Sequence, residues 1–479
     1  MASEGSDDLG GRRLILVSNR EPYSRRELAD GQVEFERTTG GLVTALDPVM
    51  RRCGGVWLAW DPGGDPEEKH RFEVPDHGPT FTLRQVPLTE EEVRRYYFGF
   101  ANGAMWPLCH YFIDRCHFDD IEWNDYVAVN ERFAEAVAQE AGEDDLIWVH
   151  DYHFCLLPEM IRARRGGGPI AFFLHIPFPA EEVFRILPWR ERVLEGLLGA
   201  DLVGVHTRSY AIEFLGCCER LLGAEVDYQD SVVHWQGRRV KVAAFPIGIE
   251  VEEIERIAAS PESKENASRI RESLATEKVV IGVDRLDYSK GIPERLAAFD
   301  RLLETHPEYR GRITFVQIAV PSRTDVEEYQ QLKRTIDELV GRINGRYGDA
   351  GWQPVHYLYR ALGRRDLVAH FLAADVAMVT PLRDGMNLVA KEYCAARIDE
   401  DGVLLLSEFT GAAEGLGDGA VLVNPFSVDG TARALKRALE LPSEERSEGM
   451  RRMRRHVSET HIDAWLGEIL VAATKVPSS

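Results

Sequence analysis

Two cations, Arg285 and Lys290, stand in the stretch DRLDYSKG (284–291), directly behind an apolar run and with Gly291 beside the lysine. A guanidinium offers a planar fork to phosphate oxygens and an ammonium offers a compact point charge. Together they could neutralise a departing diphosphate. The competing reading is a solvated loop holding an Arg–Asp pair. A second such place is VTPLRDGMNLVAKEY (379–393), where Arg383, Asp384, Gly385, Met386 and Asn387 separate an apolar run from a helical pattern that starts at Leu388 and Val389. A helix N-terminus presents unpaired N–H groups and a partial positive charge. Amides near Asn387 and Leu388 could therefore meet a diphosphate, while Asp384 could accept sugar hydroxyls and Glu392 could reach a ribose diol. The plainer alternative is that Asp384 and Asn387 cap the helix.

Other segments carry weaker signals. TTGGLVTAL (38–46) sets Gly40 and Gly41 before a helical pattern, either a phosphate-facing glycine turn or an ordinary one. VHDYH (149–153) and FLHIPFP (173–179) put His150, Asp151, His153 and His175 at run ends. Metal binding is one reading, since His-x-x-His with Asp offers N and O ligands. Hydrogen bonding of Asp151 and His175 to sugar hydroxyls fits better, because successive side chains at such a corner point apart. Aromatics interleave in WLAWDPGG (57–64) and YYFGFANGAMWP (96–107), as a sugar platform or as core. The chain has no G-x-x-x-x-G-K-[ST], no G-x-S-x-G and no G-x-G-x-x-G behind its first apolar run. These absences argue against a P-loop ATPase, a serine hydrolase and a dinucleotide dehydrogenase.

These residues need elements to hold them. Near-continuous apolar runs span 13–20, 145–153, 170–178, 201–206 and 240–249, and a second group spans 278–287, 313–320, 355–360, 375–380, 403–409 and 420–425. Such runs are what parallel strands covered on both faces look like. Helical patterns at 131–140, 327–342 and 365–372 alternate with them, so the fold expected is doubly wound α/β in two domains, with a boundary near 246–255. Ligands of open α/β sheets bind beyond the carboxyl ends of the strands, and Arg20, Arg285, Lys290, Arg323 and Arg383 all stand at such ends. That gathering runs against a formal net charge of −22, which repels nucleic acid, anionic membrane and phosphorylated metabolites alike. No apolar run reaches the roughly 18–20 residues of a membrane helix, and the first residues lack the apolar stretch of a secretory signal. The seven cysteines show no zinc spacing, and with the scattered placement this suggests reduced cytoplasm, with Cys217 and Cys218 as core filler.

Taken together, VSNR (17–20), GGL (40–42), WLAW (57–60), YYFGFANGAMWP, HDYH, FFLHIPFP (172–179), FPIGIE (245–250), DRLDYSKGIPER (284–295), PSR (321–323), GRINGRYG (341–348) and VTPLRDGMNLVAKEY resemble the retaining glycosyltransferases of family 20 that make trehalose 6-phosphate, over residues 13–470. The resemblance implies the α/β GT-B fold: two Rossmann-like domains facing a cleft, with a C-terminal helix returning to the first. It places a disordered lead-in at 1–12, an acceptor-binding domain at 13–248, a nucleotide-sugar-binding domain at 249–455 and the returning helix at 456–479. It implies transfer of glucose from a nucleotide-diphosphate glucose, UDP-glucose by default, to glucose 6-phosphate, with no metal or other cofactor. It also implies two small-molecule substrates, no nucleic-acid or membrane partner, and a homo-oligomer, dimer or tetramer, in the cytoplasm. Residue by residue, Arg285 and Lys290 would clamp the diphosphate, with backbone N–H groups of Gly41 and Leu388. Asp384, Gly385, Met386, Asn387, Val389 and His175 would hold the donor around its glucose, and Glu392 the ribose. Arg20 and Arg323 would grip the acceptor phosphate, with Trp60, Tyr97, Trp106 and Asp151 around its sugar. Asp151, His175, Arg285 and Lys290 are the expected catalytic set. Two departures touch the acceptor side, where Ala59 and Asp61 replace a glycine and a small residue. Two rival readings are a glucosylglycerol-phosphate synthase using glycerol 3-phosphate and an inactive regulator that binds a sugar phosphate; the aromatic set disfavours the first and the intact Arg285, Lys290, His175 and Asp384 the second.

Overall fold

A computed structural model describes residues 9–27, 33–38, 41–61, 70–165, 167–324 and 326–475. The chain separates into two compact units, one made of Met1–Pro246 with Asp463–Ser479 and the other of Ile247–Ile462. The expected lead-in at 1–12 falls largely outside the described residues. Its last part is ordered: Leu9 is buried and Arg12 N–H donates to its carbonyl in a turn.

The first unit contains β1 (Leu14–Val17), β2 (Tyr23–Glu27), β3 (Val33–Arg37), β4 (Val56–Asp61), β5 (Arg71–Val74), β6 (Phe81–Pro87), β7 (Leu146–His150), β8 (Ile170–Phe173), β9 (Leu202–Val205), β10 (Glu225–Asp227), β11 (Val232–Trp235) and β12 (Arg238–Ala244). Ten of these form one sheet, β10-β11-β12-β9-β8-β7-β1-β4-β6-β5, and β2 pairs with β3 as a separate hairpin. The strands from β12 to β6 are parallel, with antiparallel pairs at both edges. Every residue of β1, β7, β8 and β9 is buried, as the unbroken apolar runs require. The edge strands β5 and β10, and β11 beside the latter, are short and incompletely buried and left no such run.

The second unit holds β13 (Lys278–Arg285), β14 (Ile313–Val320), β15 (Val355–Leu358), β16 (Val376–Val379), β17 (Val403–Ser407) and β18 (Val421–Val423), all parallel, in the order β15-β14-β13-β16-β17-β18. Chain direction across this sheet reverses between β13 and β16. In the first unit it reverses between β1 and β7. These are the topological switch points at which doubly wound sheets open a crevice for ligands.

The returning helix differs from its expected bounds. Residues 443–459 form a helix whose Met450, Met453 and Val457 are buried within the second unit, and a separate helix spans Ile462–Lys475. Thr460 and His461 interrupt the two, and Ile462 N–H donates to Ile249 O (3.1 Å) at that break. From there Trp465 enters the first unit, donating Nε1–H to Phe245 O (3.1 Å) and packing on Trp148 and Phe173.

One charged side chain organises the second sheet. Arg295, 1% exposed, donates to Asp284 Oδ2 on β13 (2.5 Å), Gln317 Oε1 on β14 (3.1 Å), Thr380 Oγ1 behind β16 (2.9 Å) and Lys290 O (3.2 Å). Gly282 makes room for it, since a Cβ there would lie 2.6 Å from both Arg295 Nη1 and Gln317 Oε1. Removing one partner of such a pair strands a buried charge, at a cost of about 3–5 kcal/mol, whereas replacing both by apolar groups is often neutral. Arg295→Ala is therefore expected to lower the denaturation midpoint sharply in a urea titration followed by tryptophan fluorescence. The double variant Asp284→Leu/Arg295→Met is expected to recover most of the loss.

Candidate active site

At the switch point of the second unit, two loops are tied together through their backbones. Leu382 N–H donates to Ser289 O (2.8 Å), and Gly291, at φ +63°, brings the first loop so close that a Cβ would meet Thr380 O at 2.5 Å. This juxtaposition delivers Lys290 to Asp384. The ammonium bonds Asp384 Oδ2 at 2.7 Å, and the same oxygen accepts from Asn387 Nδ2 at 2.9 Å. Lys290 and Asp384 are 7% and 9% exposed. The 384–387 segment is braced from behind: Asp384 N–H donates to Phe409 O, Gly411 N–H to Asp384 O, and Ala412 N–H and the Thr410 hydroxyl to Met386 O. Asn387 does cap the helix Leu388–Ala396, through Oδ1 to Ala390 N–H (3.3 Å), and does so with φ +74°. Asp384 Oδ2 holds the amide end of that capping side chain. The first-turn amides of that helix, Leu388 and Val389 among them, have no intrahelical acceptor and carry its positive pole.

The DRLDYSKG segment is not a solvated loop. Only Arg285 in it is exposed; Asp284, Asp287, Ser289 and Lys290 are all buried. Burial alone would raise the Asp287 carboxyl, but Arg323, Lys290 and Arg285, with the Ser289 N–H, outweigh it and hold the group below its usual range. Three of the cations expected to handle phosphate thus surround one carboxylate. Arg323, at φ +48°, bonds Asp287 Oδ2 (3.4 Å) and the Tyr329 hydroxyl, which itself donates to Asp287 (2.8 Å). Glu392 is half-buried, and that environment raises its carboxyl to about 7 against the pull of Arg364.

In the first unit, residues 18–20 leave β1 beside β4. Ser18 N–H donates to Leu58 O, Trp60 N–H donates to Asn19 O, and Ser18 Oγ both accepts from Trp57 Nε1 (2.8 Å) and donates to Arg20 O (2.9 Å). Arg20 Nη2 donates to the Tyr97 hydroxyl at 2.9 Å. The Tyr97 ring lies between Trp60 (centroids 5.8 Å, 27°) and His153 (5.7 Å, 13°). From His153 the rings continue to Tyr152 (4.0 Å) and on to Trp106 (5.7 Å). Trp60, Tyr97 and Trp106 are thereby joined by two residues the sequence did not assign, Tyr152 and His153. Trp57, Tyr96 and Phe100 are fully buried core. The segment Val93–Met105 is a π-helix, a form frequent at functional sites. Its wide turn shows at the exit, where Trp106 N–H reaches Ala101 O, and in the Asn102 Nδ2 bond to Tyr97 O (2.7 Å).

Asp151 follows β7 at φ +74°, ψ 168°, a sparsely populated conformation costing on the order of 1–3 kcal/mol and concentrated at ligand sites. Its Oδ1 accepts from Tyr152 N–H (3.0 Å) and His175 N–H (3.2 Å). His175 Nε2 meets His150 Nδ1 at 3.0 Å. Burial lowers His150 to about 3 and pushes His175 well below the usual histidine range, with His150 and His206 adding to it. Both rings are neutral at pH 7. Among the described residues no cluster of three or more His, Cys, Asp or Glu is arranged to hold a metal, and no helix is long and apolar enough to cross a membrane. Gly41 opens the helix Gly41–Cys53; Thr39 and Gly40 lie outside the described residues.

A family model described as glycosyltransferase family 20 matches residues 12–475. A trehalose-6-phosphate synthase of Mycolicibacterium vanbaalenii is 46% identical over 98% of this chain and 97% of its own length. An alpha,alpha-trehalose-phosphate synthase [UDP-forming] A of Dictyostelium discoideum is 42% identical over 95% of this chain, which spans 61% of that relative's length. Among solved structures, an alpha,alpha-trehalose-phosphate synthase (UDP-forming) of Burkholderia xenovorans in complex with glucose-6-phosphate superposes with a TM-score of 0.87 at 37% identity, over 96% of this chain and all of that one.

Arg285 and Lys290, both acting on Asp287, stand beside a helix N-terminus, an arrangement whose chemistry suits a diphosphate. A charge-assisted bond contributes about 1.5–3 kcal/mol. Arg285→Ala and Lys290→Ala are each expected to weaken binding of UDP by roughly ten- to a hundredfold in calorimetric titrations. Unchanged affinity in both variants would rule these two cations out as diphosphate ligands.

Proposed function

The chain belongs to glycosyltransferase family 20, and from that membership and the arrangement of its strand ends we propose that it transfers glucose from UDP-glucose to glucose 6-phosphate, giving α,α-trehalose 6-phosphate and UDP. The observation that carries this reading is the grouping of Arg285, Lys290 and Arg323 about Asp287 at the carboxyl end of β13, beside the N-terminus of Leu388–Ala396.

In this reading Arg285 and Lys290 take the diphosphate, together with the amides of Gly41 and Leu388. Asp384, Gly385, Met386, Asn387 and Val389, with His175, hold the donor around its glucose, and Glu392 accepts from the ribose diol. Arg20 and Arg323 grip the acceptor phosphate, and Trp60, Tyr97, Trp106 and Asp151 surround its sugar, which stacks on aromatic faces. Configuration at the anomeric carbon is retained without a carboxylate nucleophile. The leaving phosphate oxygen takes the proton of the incoming hydroxyl on the same face, and the protein's part is orientation and charge neutralisation. The charge that develops falls to Arg285 and Lys290, and no metal or other cofactor is assigned a step.

The test is direct. The protein is incubated with glucose 6-phosphate or glycerol 3-phosphate and with UDP-, GDP- or ADP-glucose, and released nucleoside diphosphate is measured. Release with UDP-glucose and glucose 6-phosphate is expected, and Arg285→Ala should cut turnover by ~10²–10³. Release with glycerol 3-phosphate alone would overturn the acceptor, and no release with any pair would overturn the activity.

Glu392 supplies a pH dependence. Its carboxyl, raised to about 7, is charged above that pH and protonated below it. The ionised form is the full acceptor for a diol, so donor KM should be lowest above pH 7 and rise as pH falls through it. Glu392→Gln should weaken donor binding and flatten KM between about pH 6 and 8. A slope that survives in Glu392→Gln would assign the titration elsewhere.

A further inference from the structure

His150 has no place in the reading above, yet it is fully buried and, among the described residues, the one hydrogen-bond partner of its ring is His175. Both rings are neutral, so each carries one hydrogen and the 3.0 Å contact between His150 Nδ1 and His175 Nε2 holds one of them. Two arrangements satisfy this. In one, His175 Nε2–H donates, and the hydrogen of His150 sits on Nε2. In the other, His150 Nδ1–H donates, and the hydrogen of His175 sits on Nδ1.

The surroundings of His150 decide between them. His150 Nε2 is buried with no partner among the described residues. Its ring lies 4.4 Å, centroid to centroid, from the indole of Trp148, whose own Nε1–H is also buried without an acceptor. An indole can only donate. Hydrogen on His150 Nε2 would therefore leave two neighbouring rings each with a buried donor lacking an acceptor, and orphan buried N–H groups are the rarer, costlier kind. A bare Nε2 lone pair leaves the indole as the single orphan donor of the two rings. On the other side, His175 Nδ1 makes no hydrogen bond to the described residues, and His175 is only half-buried. Its backbone is fixed by N–H donation to Asp151 Oδ1 (3.2 Å), and its ring is flanked by Phe173, His206 and Trp465.

We infer that His150 is a positioning residue. It donates Nδ1–H to His175 Nε2 and so fixes His175 in the tautomer whose hydrogen is on Nδ1, the ring nitrogen left to donate to a hydroxyl of the transferred sugar. The assignment of that donor role rests on the proposed function; the tautomer does not.

Two-bond ¹H–¹⁵N correlation spectra of the full chain labelled with ¹⁵N-histidine read the tautomer in the wild type, with no variant needed. His175 is expected to show a protonated Nδ1 and a bare Nε2, and its signals are identified by their loss in His175→Gln. His150→Asn keeps an amide N–H near the position of Nδ1 and should preserve that pattern. His150→Phe removes the donor and should shift hydrogen to His175 Nε2 while raising donor KM about tenfold, with kcat for bound donor less affected. His150→Asn should recover most of that loss. A wild-type spectrum with hydrogen on His175 Nε2, or a His150→Phe spectrum identical to wild type, overturns the inference. If the spectra come out as expected but His175→Gln transfers glucose at the wild-type rate, the donor reading of His175 fails while the tautomer assignment stands.

Discussion

The ion pair of Arg295 with Asp284 is the constraint on which the second unit turns. Its guanidinium reaches β13, β14 and the residue behind β16, so it spans the place where the sheet reverses direction. It also holds the carbonyl of Lys290. The backbone that carries the Lys290 side chain is therefore anchored from inside the sheet. A buried pair of this kind adds little net stability over an apolar replacement, and its effect lies in the single arrangement it permits. Gly282 and Gly291 are the sequence's accommodation to that arrangement, one opening space for the guanidinium and the other letting the lysine loop reach Thr380.

Electrostatics follows from the same geometry. The protein as a whole is strongly acidic, yet the cations at the carboxyl ends of its strands are held in place by local carboxylates: Lys290 by Asp384 and Arg323 by Asp287. These partners fix where the positive groups stand before any anion arrives. Fixed charge in a partly buried site needs no reorganisation when charge develops on a ligand, which is the basis of electrostatic catalysis. The first unit uses a different device at its own switch point. There Arg20 leans on the Tyr97 hydroxyl, and a continuous run of rings from Trp60 to Trp106 forms the wall beside it.

Most parallel strands were legible because strands covered on both faces are apolar over most of their length, as β1, β7, β13 and β14 are, whereas the parallel strands β4 and β6 were not among the runs read. Arg285, Lys290, Asp384 and Asn387 were legible because they break such runs with charge and glycine. The hairpin β2–β3 and the edge strands escaped because a partly exposed strand of three to five residues leaves no unbroken apolar run. Arg295 stood inside a motif already singled out, but nothing local distinguishes an arginine that is fully buried from one in water. His150, Tyr152 and His153 were seen only as members of HDYH. Their work depends on partners more than twenty residues away, His175 for the first and Tyr97 for the last. The break at Thr460 was missed because helical patterns continue on both sides of it.

The π-helix at Val93–Met105 has a consequence for how this segment tolerates insertion and deletion. In an ordinary helix a residue advances about 100° around the axis. Losing one residue would let a wide turn tighten to the common form with the flanking chain nearly in register, without the swing by that angle which a deletion brings to an ordinary helix. Tyr97 and Asn102, linked one wide turn apart, would no longer share a face. A deletion within Val93–Met105 would therefore cost the Tyr97–Asn102 link before it cost the placement of the flanking elements.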